Sequence, residues 1–359
     1  MTSPKISIAI PAYNGEKYLE QALESALRQT RPADEILVID DASTDATAGI
    51  AMSYGNKIKY HFNDKASGFV DAWNRAIINA SGDFVTILHH DDLLHSEYLE
   101  RIELAIKQFS LAKHFYAACN YINASGFVVK NPPLPHSLEP VLYSGRDYAH
   151  NYLKGVMSNN HIHRCPGVTT SKFLLMNECT YRKEAGHIAD DDFFYRVGRY
   201  TDVVGISYPL ASFRSHADSE TAKADLTERL AACYVFQTLQ TKSNECIFCD
   251  ADKQLIFSAA VKYINEFLFY KLLNNDSEGI SKALKNADEL ADIMPGIMKL
   301  KLPVWARIMW LLTEKSSLET SHGYVVCLNL MKRLQDILVR EQKLSGKNEN
   351  TIKEMIAIP

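Results

Sequence analysis

The chain has 359 residues, of which 47% are hydrophobic and 23% charged, and this balance excludes an intrinsically disordered chain. Its 39 basic and 43 acidic residues leave a formal net charge of −4, which gives no electrostatic reason to expect a nucleic-acid partner. A chain of this length is expected to form one large domain or two unequal ones.

The first 110 residues alternate between strand patterns and helix patterns. Four apolar runs have the length of strands: 6–10, 35–39, 57–62 and 83–88. Apolar residues recur at helical spacing in segments that begin near Leu19, Asp45, Phe69 and Ser96. Ser43 has a suitable side chain for the N-cap of the second of these helices. Strands separated by helical crossovers predict an α/β fold with a mostly parallel sheet and helices on both faces.

The rest of the chain is organised differently. From about 111 to 216 the pattern is less regular, and four prolines between 132 and 140 predict a long loop. After about 220 no strand pattern remains, and apolar residues recur at helical spacing as far as Leu338. These spacings predict a C-terminal all-helical extension.

No segment predicts a leader peptide or a membrane span. The N-terminus leads almost at once into the apolar run 6–10, and no window reaches the roughly 18 apolar residues of a span. Seven scattered cysteines in such a chain do not predict a disulfide framework. Cys246 and Cys249 have a metal-ligand spacing, but no second pair follows, so we expect ordinary helix cysteines rather than a zinc site. We expect a cytoplasmic protein.

Polar clusters follow three of the predicted strands, at 11–14, 40–43 and 89–92. Ligands bind outside the carboxyl ends of the strands in open parallel sheets, so these clusters are expected to line one site. Adjacent carboxylates suit Mg²⁺ or Mn²⁺, which would neutralise phosphate oxygens. The sequence has no glycine-rich phosphate loop, so we expect phosphate to be bound through the metal.

Several of these segments resemble the opening of family 2 glycosyltransferases. Gly68 and Asn74 also fit that family's pattern. The segments are ISIAIPAYN at 6–14, ALRQT at 26–30, EILVIDDASTD at 35–45 and GDFVTILHHDD at 82–92. The resemblance is close over residues 5–110 and looser to about 216.

The resemblance implies a GT-A fold in residues 1–220, with a nucleotide-sugar half at 1–110 and an acceptor half at 111–220, followed by a helical region at 221–359. It implies inverting transfer of a sugar from a nucleotide-diphosphate sugar, with a UDP-sugar favoured, to an acceptor hydroxyl in bacterial surface polysaccharide or glycan synthesis. The expected acceptor is a glycan or a lipid-linked saccharide. Two alternatives are a sugar nucleotidyltransferase and a non-catalytic nucleotide-sugar-binding module.

The resemblance also implies site residues. Pro11 and Tyr13 would flank the base and Asp41 would accept a hydrogen bond from it, whereas Asp91 and Asp92 match the acidic end of the family's DxD motif. The first acidic position of that motif is His89 in this chain, which leaves its role as a metal ligand or a sugar contact open. The expected contacts to the nucleotide sugar are Pro11, Ala12, Tyr13, Asp41, Asn74, His89 and Asp91. The expected ligands of Mn²⁺ or Mg²⁺ are Asp91, Asp92 and His216.

The segment ADDDFFYR at 189–196 resembles the family's Glu-Asp signature at the start of a helix. Alignment on its aromatic end implies that Asp190 is the catalytic base, with Asp191 and Asp192 as alternatives, of which Asp192 is more suited to orienting the helix or pairing with an arginine. Carboxylates at a helix N-terminus also have a purely structural explanation. His161, His163 and Arg164 are expected acceptor contacts, for which a solvated polar loop is the alternative.

The last expectation concerns a membrane surface. Basic residues surround the apolar stretch 296–313, and this helix could rest on the inner face of the cell membrane, where a lipid-linked acceptor would lie. The basic residues are Lys299, Lys301, Arg307 and Lys315. An ordinary core helix with a basic rim is the alternative. The oligomeric state is not predicted.

Overall fold

The computed structural model describes residues 3–286, apart from residues 134, 159, 162, 220, 221, 223–225, 244, 245, 274, 275, 277, 280 and 284. The described chain divides into two compact units. The first holds the residues up to 222 together with 246–252, and the second holds 226–243 and the residues from 253 onward. The domain boundary at 220 stays a prediction.

The first unit contains a ten-stranded sheet and seven α-helices among its described residues. The strands are β1 (Ile6–Ala12), β2 (Glu35–Asp40), β3 (Lys59–Phe62), β4 (Phe84–Ile87), β5 (Leu93–Leu94), β6 (His114–Ile122), β7 (Val128–Lys130), β8 (Val141–Tyr143), β9 (Val168–Ser171) and β10 (Val203–Arg214). The helices are α1 (Leu19–Leu27), α2 (Thr47–Ser53), α3 (Phe69–Asn79), α4 (Tyr98–Gln108), α5 (Gly145–Met157), α6 (Lys172–Asn177) and α7 (Ala189–Val197).

The sheet has two halves of different character. Its order is β3-β2-β1-β4-β9-β6-β10-β5, with β7 beside β6 and β8 beside β10. The first four strands are parallel, as predicted. Beyond them β9 runs antiparallel to both β4 and β6, and the sheet becomes mixed. The predicted α/β fold is therefore confirmed, and its parallel part is the part whose strands alternate with helices along the chain.

The central strands of the parallel half are covered on both faces. Every residue of β1, β2 and β4 is buried, which explains why these strands are continuous apolar runs. Ile6, Ile8 and Ile10 share one apolar cluster with α1 and α4. Helix α3 contacts β1, β2 and β4 through buried residues outside that cluster. Helices therefore lie on both sides of the sheet.

A buried polar cluster fixes the strands at their amino ends. The Ser7 hydroxyl donates to the Glu35 carboxylate at 2.6 Å, and the Ser81 amide and the Lys59 ammonium each donate to Glu35 at 2.7 Å. The Gly82 amide donates to the Ser7 hydroxyl at 2.9 Å, and a Cβ on Gly82 would lie 2.7 Å from the Ser7 nitrogen. This cluster joins β1, β2, β3 and the turn before β4.

The predicted N-cap at Ser43 is wrong. Helix α2 begins at Thr47, and the Ser43 hydroxyl instead accepts from the Asn14 amide at 2.9 Å. Asp45 holds the start of the helix, because its carboxylate accepts from both the amide and the hydroxyl of Thr47. Ser43 therefore joins the loops after β1 and β2, which places it beside the candidate site rather than in a helix cap.

Helices α5 and α7 pack together closely enough to require glycine at both contact points. A Cβ on Gly145 would lie 1.7 Å from the Gly198 carbonyl oxygen, and one on Gly198 would lie 2.2 Å from that of Gly145. This approach brings the side chains of α5 next to the aspartates that begin α7.

The second unit is helical where it is described, which agrees with the predicted extension. Its helices are α8 (Leu226–Gln240) and the greater part of α9 (Asp250–Leu273). In the described part of the chain, no helix combines the length and the apolar character needed to cross a membrane. The predicted membrane-surface helix at 296–313 lies outside the described residues.

Candidate active site

The candidate site lies where the four parallel strands end. Tyr13 follows β1, Asp41 follows β2, Asn63 follows β3 and His89 is the second residue after β4. Because these strands are parallel, their carboxyl ends meet at one edge of the sheet. The three polar clusters predicted from the sequence are therefore brought together.

The loops after β1 and β2 form one rigid wall of the site. Asn14 and Ala42 have φ values of 46° and 66°, a conformation that non-glycine residues seldom adopt. The Asn14 side-chain oxygen accepts from the Thr44 amide at 2.9 Å, which ties the two loops together. Pro11 and Ala12 are buried, whereas the Tyr13 ring is 51% exposed. Of these three predicted contacts, Tyr13 offers an open aromatic surface to a ligand.

Asp41 lies beside this wall and is only 3% exposed, and its side chain fixes the loop that leads to α3. Its carboxylate accepts four hydrogen bonds, from the Asn63 amide group, the Ser67 amide and hydroxyl, and the Gly68 amide, at 2.8–3.1 Å. Burial raises its pKa, but these donors more than offset burial and hold the pKa below its usual value. Its predicted contact with a nucleotide base stays a prediction.

The end of β4 forms a candidate metal centre. His89, Asp91 and Asp92 each offer a ligand atom, and these atoms lie within 4.8 Å of one another. The His89 Nε2 and Asp92 Oδ2 atoms are buried and have no hydrogen-bond partner. A buried carboxylate oxygen without a donor is costly unless a cation satisfies it. The residues present therefore fit a divalent ion, and His89 belongs to the candidate ligand set.

His216 approaches the same centre from the loop after β10. Its Nε2 atom lies 3.0 Å from the Asp91 carboxylate, and its other ring nitrogen is buried without a partner. His216 thus contacts Asp91, whereas the group whose ligand atoms lie within 4.8 Å of one another consists of His89, Asp91 and Asp92, so the role of His216 as a metal ligand stays a prediction.

The two carboxylates of this centre differ in charge. Burial raises the pKa of Asp91, but the hydrogen bond with His216 and the neighbouring histidines outweigh burial and lower it to about 2. Burial and the charge of Asp91 raise the pKa of Asp92 to about 6. Without a cation the pair therefore carries one firm negative charge and one that is readily protonated.

Arg214, whose role the sequence analysis did not predict, holds this centre from β10. It is 1% exposed, and its amide donates to Asp92 Oδ1 at 2.8 Å while its Nε donates to the Asp91 carbonyl at 2.7 Å. The rest of the guanidinium donates to the carbonyls of Asn123 and Ala124 and to the Gln21 side chain. The sequence shows only that Arg214 lies two residues before His216. The fold shows that Arg214 contacts Asp91 and Asp92.

Trp73 is a second residue that sequence reasoning assigned only to a helix face. Its ring stacks on His89 at a centroid distance of 5.0 Å and contacts Tyr181 at 5.2 Å. The Asn74 side chain donates to the Tyr181 carbonyl at 2.9 Å, which fixes the same segment. Asn74, a predicted nucleotide-sugar contact, thus anchors the 181 segment beside the site, and its contact with the donor stays a prediction.

The three aspartates of α7 have three different environments. Asp192 is buried and pairs with Arg182 and Arg196 at 2.6–2.9 Å, which is the arginine pairing predicted for it. Asp191 accepts from the Tyr152 hydroxyl at 2.6 Å. Asp190 is half-buried, and one of its oxygens accepts from the Asp191 amide at 2.9 Å. Asp190 is therefore the best placed of the three to meet a substrate.

Cys165 and Tyr181 link Asp190 to the metal centre. Both His89 and Tyr181 interact with the Cys165 side chain. Burial raises the pKa of Tyr181, and the charges of Cys165 and Asp190 raise it further. The charge of Asp190 thus influences Tyr181, and Tyr181 contacts Trp73 beside His89, while the role of Asp190 as the base stays a prediction.

The Cys246 and Cys249 pair lies apart from this centre. Both are free thiols, and the Cys249 sulfur donates to Asp252 at 3.2 Å. Asp252 also contacts His150 of α5 at 2.5 Å.

Comparison with known proteins shows which family the first third of the chain resembles. Residues 7–127 match the model of glycosyl transferase family 2. An uncharacterized glycosyltransferase of Rickettsia bellii is 25% identical over 336 residues, which cover 89% of this chain and 44% of that protein. One of Rickettsia typhi is 44% identical over 98 residues, which cover 27% of this chain and 30% of that protein. Residues 7–127 therefore resemble a family 2 glycosyltransferase domain. The chain spans less than half the length of these two relatives.

Solved structures agree with this assignment at the level of the fold. S. aureus TarS residues 1–349, crystallised in complex with UDP-GlcNAc, superposes with a TM-score of 0.60 at 16% identity over 96% of this chain and 93% of that chain. The complex of the same protein with UDP gives a TM-score of 0.59 at 17% identity. The family 2 domain of this chain therefore has the predicted GT-A fold.

Proposed function

We propose that this chain is a family 2 glycosyltransferase that moves a sugar from a nucleotide-diphosphate sugar to an acceptor hydroxyl with inversion at the anomeric carbon. The observation that carries the proposal is the centre formed by His89, Asp91 and Asp92 at the carboxyl edge of the parallel strands, where the buried Asp92 Oδ2 atom makes no hydrogen bond and lies 3.5 Å from His89 Nδ1. Such a centre suits a diphosphate group, whose charge needs a cation.

A uridine nucleotide is the favoured donor. Two of the solved structures that share this fold are TarS complexes with UDP and with UDP-GlcNAc. In this chain the exposed Tyr13 ring lies beside Asp41 at the edge where a base would bind, at the end of the sheet that also holds the candidate metal centre. These residues support a planar base on the Tyr13 side and phosphates on the His89 side.

Asp91, Asp92 and His216 would hold the divalent ion, Mn²⁺ or Mg²⁺, with His89 as a further candidate. When bound, the ion supplies positive charge that stabilises the diphosphate leaving group. The Arg214 amide donates to the Asp92 carboxylate, its guanidinium donates to the main-chain carbonyl of Asp91, and the Trp73 ring stacks on His89. These contacts preorganise the donor side of the reaction.

Asp190 serves as the general base. Its carboxylate accepts the proton of the acceptor hydroxyl while that oxygen forms a bond to the anomeric carbon, and the bond from this carbon to the diphosphate oxygen breaks. Attack from the face opposite the leaving group inverts the configuration. Asp191 and Asp192 are occupied by Tyr152 and by two arginines, which leaves Asp190 for this role. A positioned base typically contributes about 10²–10⁴-fold.

The acceptor is a glycan or a lipid-linked saccharide, in keeping with synthesis of a bacterial surface polysaccharide. The relatives with sequence similarity include proteins of Rickettsia and of Streptococcus pneumoniae, which are bacteria.

The first experiment is thermal unfolding of the full chain with UDP, GDP, dTDP or CDP, each with and without Mn²⁺. A ligand at about 100 times its dissociation constant adds roughly 2.7 kcal/mol, so a shift of several degrees is expected. The proposal predicts a metal-dependent shift with UDP, followed by Mn²⁺-dependent release of UDP from a UDP-sugar. Binding of UDP without any release would favour a non-catalytic binding module, and absence of a shift with every nucleotide would refute the donor site.

A further inference from the structure

A cavity of about 310 Å³ lies in the acceptor half, lined by aromatic side chains of β6, β8 and α5 and by the segment before β9. We call it the tyrosine cavity and define it by Tyr116, Tyr143, Tyr148, Tyr152, His161 and His163. Its volume is at the lower end of the range for small-molecule sites. It is formed within the first unit, and no role for it follows from the donor site.

The cavity contains an imidazole that lacks a partner. His161 is 8% exposed, and its Nδ1 atom is buried and makes no hydrogen bond. A buried polar atom in this state is costly, and a bound ligand would satisfy it. Burial lowers the pKa of His161 to about 3, so the ring is neutral and presents one donor and one acceptor.

The walls are held rigidly. The His163 ring stacks on Tyr152 at a centroid distance of 4.9 Å. Its Nε2 atom forms a hydrogen bond of 3.0 Å with the Tyr148 hydroxyl. Tyr148 and His163 are also parallel, at 5.9 Å and 9°. A preformed set of ring faces costs a ligand little reorganisation.

The cavity is adjacent to the candidate catalytic residue. Tyr152 is both a wall of the cavity and the donor of the 2.6 Å hydrogen bond to Asp191. Burial makes the largest contribution to the raised pKa of Tyr152, and the charges of Asp191 and Asp190, neighbours in α7, raise this pKa further. A molecule in the tyrosine cavity therefore lies one side chain away from the aspartates of α7.

We propose that the tyrosine cavity binds one ring of a neutral saccharide, as a subsite for the acceptor. That the ligand is an acceptor rests on the proposed function, whereas its neutral, ring-shaped chemistry is inferred from the residues that line the cavity. One face of a pyranose ring consists of C–H bonds and packs against an aromatic face, while the hydroxyls project outward to polar groups such as His161. Among the described lining residues, Lys154 is the only one with a charge, and it is exposed to solvent, so the buried walls offer no cation to the carboxylate of an acidic sugar.

The test uses the full chain without nucleotide and measures saturation transfer by NMR to methyl β-glucoside, to methyl β-N-acetylglucosaminide and to glucuronate. The proposal predicts transfer to a neutral glycoside, strongest at the C–H protons of one ring face, and weaker transfer to glucuronate. If neither neutral sugar shows transfer, or if transfer to glucuronate is stronger, the proposal is refuted.

Two variants locate the binding. His161→Phe removes the unpartnered nitrogen and keeps a ring, and we expect binding to weaken about tenfold, the effect of one buried hydrogen bond. Ser158→Trp places a large side chain at an exposed lining position, where folding tolerates it, and should abolish transfer. Ser53→Trp is the matched control, because Ser53 is also an exposed serine at a helix end whose hydroxyl donates to a carbonyl of the preceding turn. Unchanged transfer in both cavity variants would also overturn the proposal.

The metal-dependent shift with UDP is measured on every variant. Its retention shows that the fold and the donor site are intact. A chain that binds UDP but no neutral sugar refutes the subsite and leaves the proposed transferase. A chain that binds the sugar in the cavity but no nucleotide refutes the transferase and leaves a saccharide-binding site.

Discussion

The predicted donor half, residues 1–110, and the predicted acceptor half, residues 111–220, differ in how their described residues build their candidate sites. The donor half uses parallel strands that end together and loops whose backbone and carboxylates form the site. The acceptor half uses an antiparallel strand, β9, and a cluster of aromatic rings around α5 and α7. The first is an arrangement for charged phosphates, and the second is an arrangement for a less polar ligand.

This contrast fits the two substrates of the proposed reaction. A nucleotide-diphosphate sugar carries two phosphates, which suit the polar and acidic residues at the ends of the parallel strands. A saccharide acceptor is less charged, which suits aromatic features such as the tyrosine cavity. The four predictions below test this division in order of the size of the expected effect.

The largest effect is expected from Asp190→Asn, which removes the base supplied by the acceptor half. Turnover should fall about 10²–10⁴-fold, while the metal-dependent shift with UDP stays unchanged, because the donor half is untouched. The measurement is release of UDP from a UDP-sugar with Mn²⁺. Glu178→Gln, an exposed carboxylate after α6, is the control. Loss of UDP binding with normal turnover would show that Asp190 belongs to the donor site.

The second effect concerns Arg214, which reaches from the acceptor half into the donor half. Arg214→Met removes the guanidinium donor from the carbonyls of Asp91, Asn123 and Ala124, and should lower the free energy of unfolding by about 3–5 kcal/mol. Urea unfolding measures this loss.

Arg28→Met serves as the control for Arg214, because Arg28 is exposed and pairs only with Glu24 among the described contacts. Arg214→Lys keeps the charge but not the planar set of donors, so metal-dependent UDP binding should weaken even where the variant folds. A stable Arg214→Met chain with normal UDP binding would show that the two halves are not coupled through this residue.

The third effect is confined to the base of the donor half. Burial raises the pKa of Glu35, but hydrogen bonds from Lys59, Ser7 and Ser81 outweigh it and lower the pKa to about 2 from the usual 4.5. A lowered pKa stabilises the fold above pH 4.5, and this stabilisation, about 3 kcal/mol at most, is lost as the pH falls from 4.5 towards 2.

Glu35→Gln should therefore be less stable than the wild type at pH 7 by about 1–3 kcal/mol, and the difference should shrink as the pH falls through that range. Urea unfolding at a series of pH values measures it. Glu97→Gln, which alters an exposed pair with Arg101, should show little difference at any pH. An equal difference at all pH values would mean that Glu35 acts by packing rather than by charge.

Much of the donor half could be predicted from the sequence, because burial on both faces makes β1, β2 and β4 continuous apolar runs. The residues that follow these parallel strands then lie at the same edge of the sheet, whatever the conformation of the loops. The position of β9 could not be predicted in this way, since its pairing with β4 and β6 joins segments about 85 and 55 residues apart, a separation that leaves no local pattern.

The same limit applies to the site. Asp91 and Asp92 are recognisable because metal ligation needs carboxylates close together, and the structure brings them to one point with His89. Arg214 and Tyr152 act through partners far along the chain, and an arginine in a strand or a tyrosine in a helix has many ordinary uses. Only the fold distinguishes them from packing residues.

The smallest effect tests the charge of the metal centre itself. Asp92 has its pKa raised to about 6 by burial and by the Asp91 charge, and a protonated carboxylate does not ligate a cation. Mn²⁺ affinity should therefore be constant above pH 6 and fall about tenfold for each pH unit below it, whereas Asp91, with a pKa near 2, stays charged throughout.

Asp92→Asn should weaken Mn²⁺ binding about 10–100-fold at pH 7.5 and should remove the step near pH 6. Titration with Mn²⁺ followed by water-proton relaxation measures both, and Asp64→Asn, an exposed carboxylate in the same half, should retain the step. If the step survives in Asp92→Asn, the titrating group is a histidine of the centre rather than Asp92, and the acidic pair would then bind the ion through Asp91 alone.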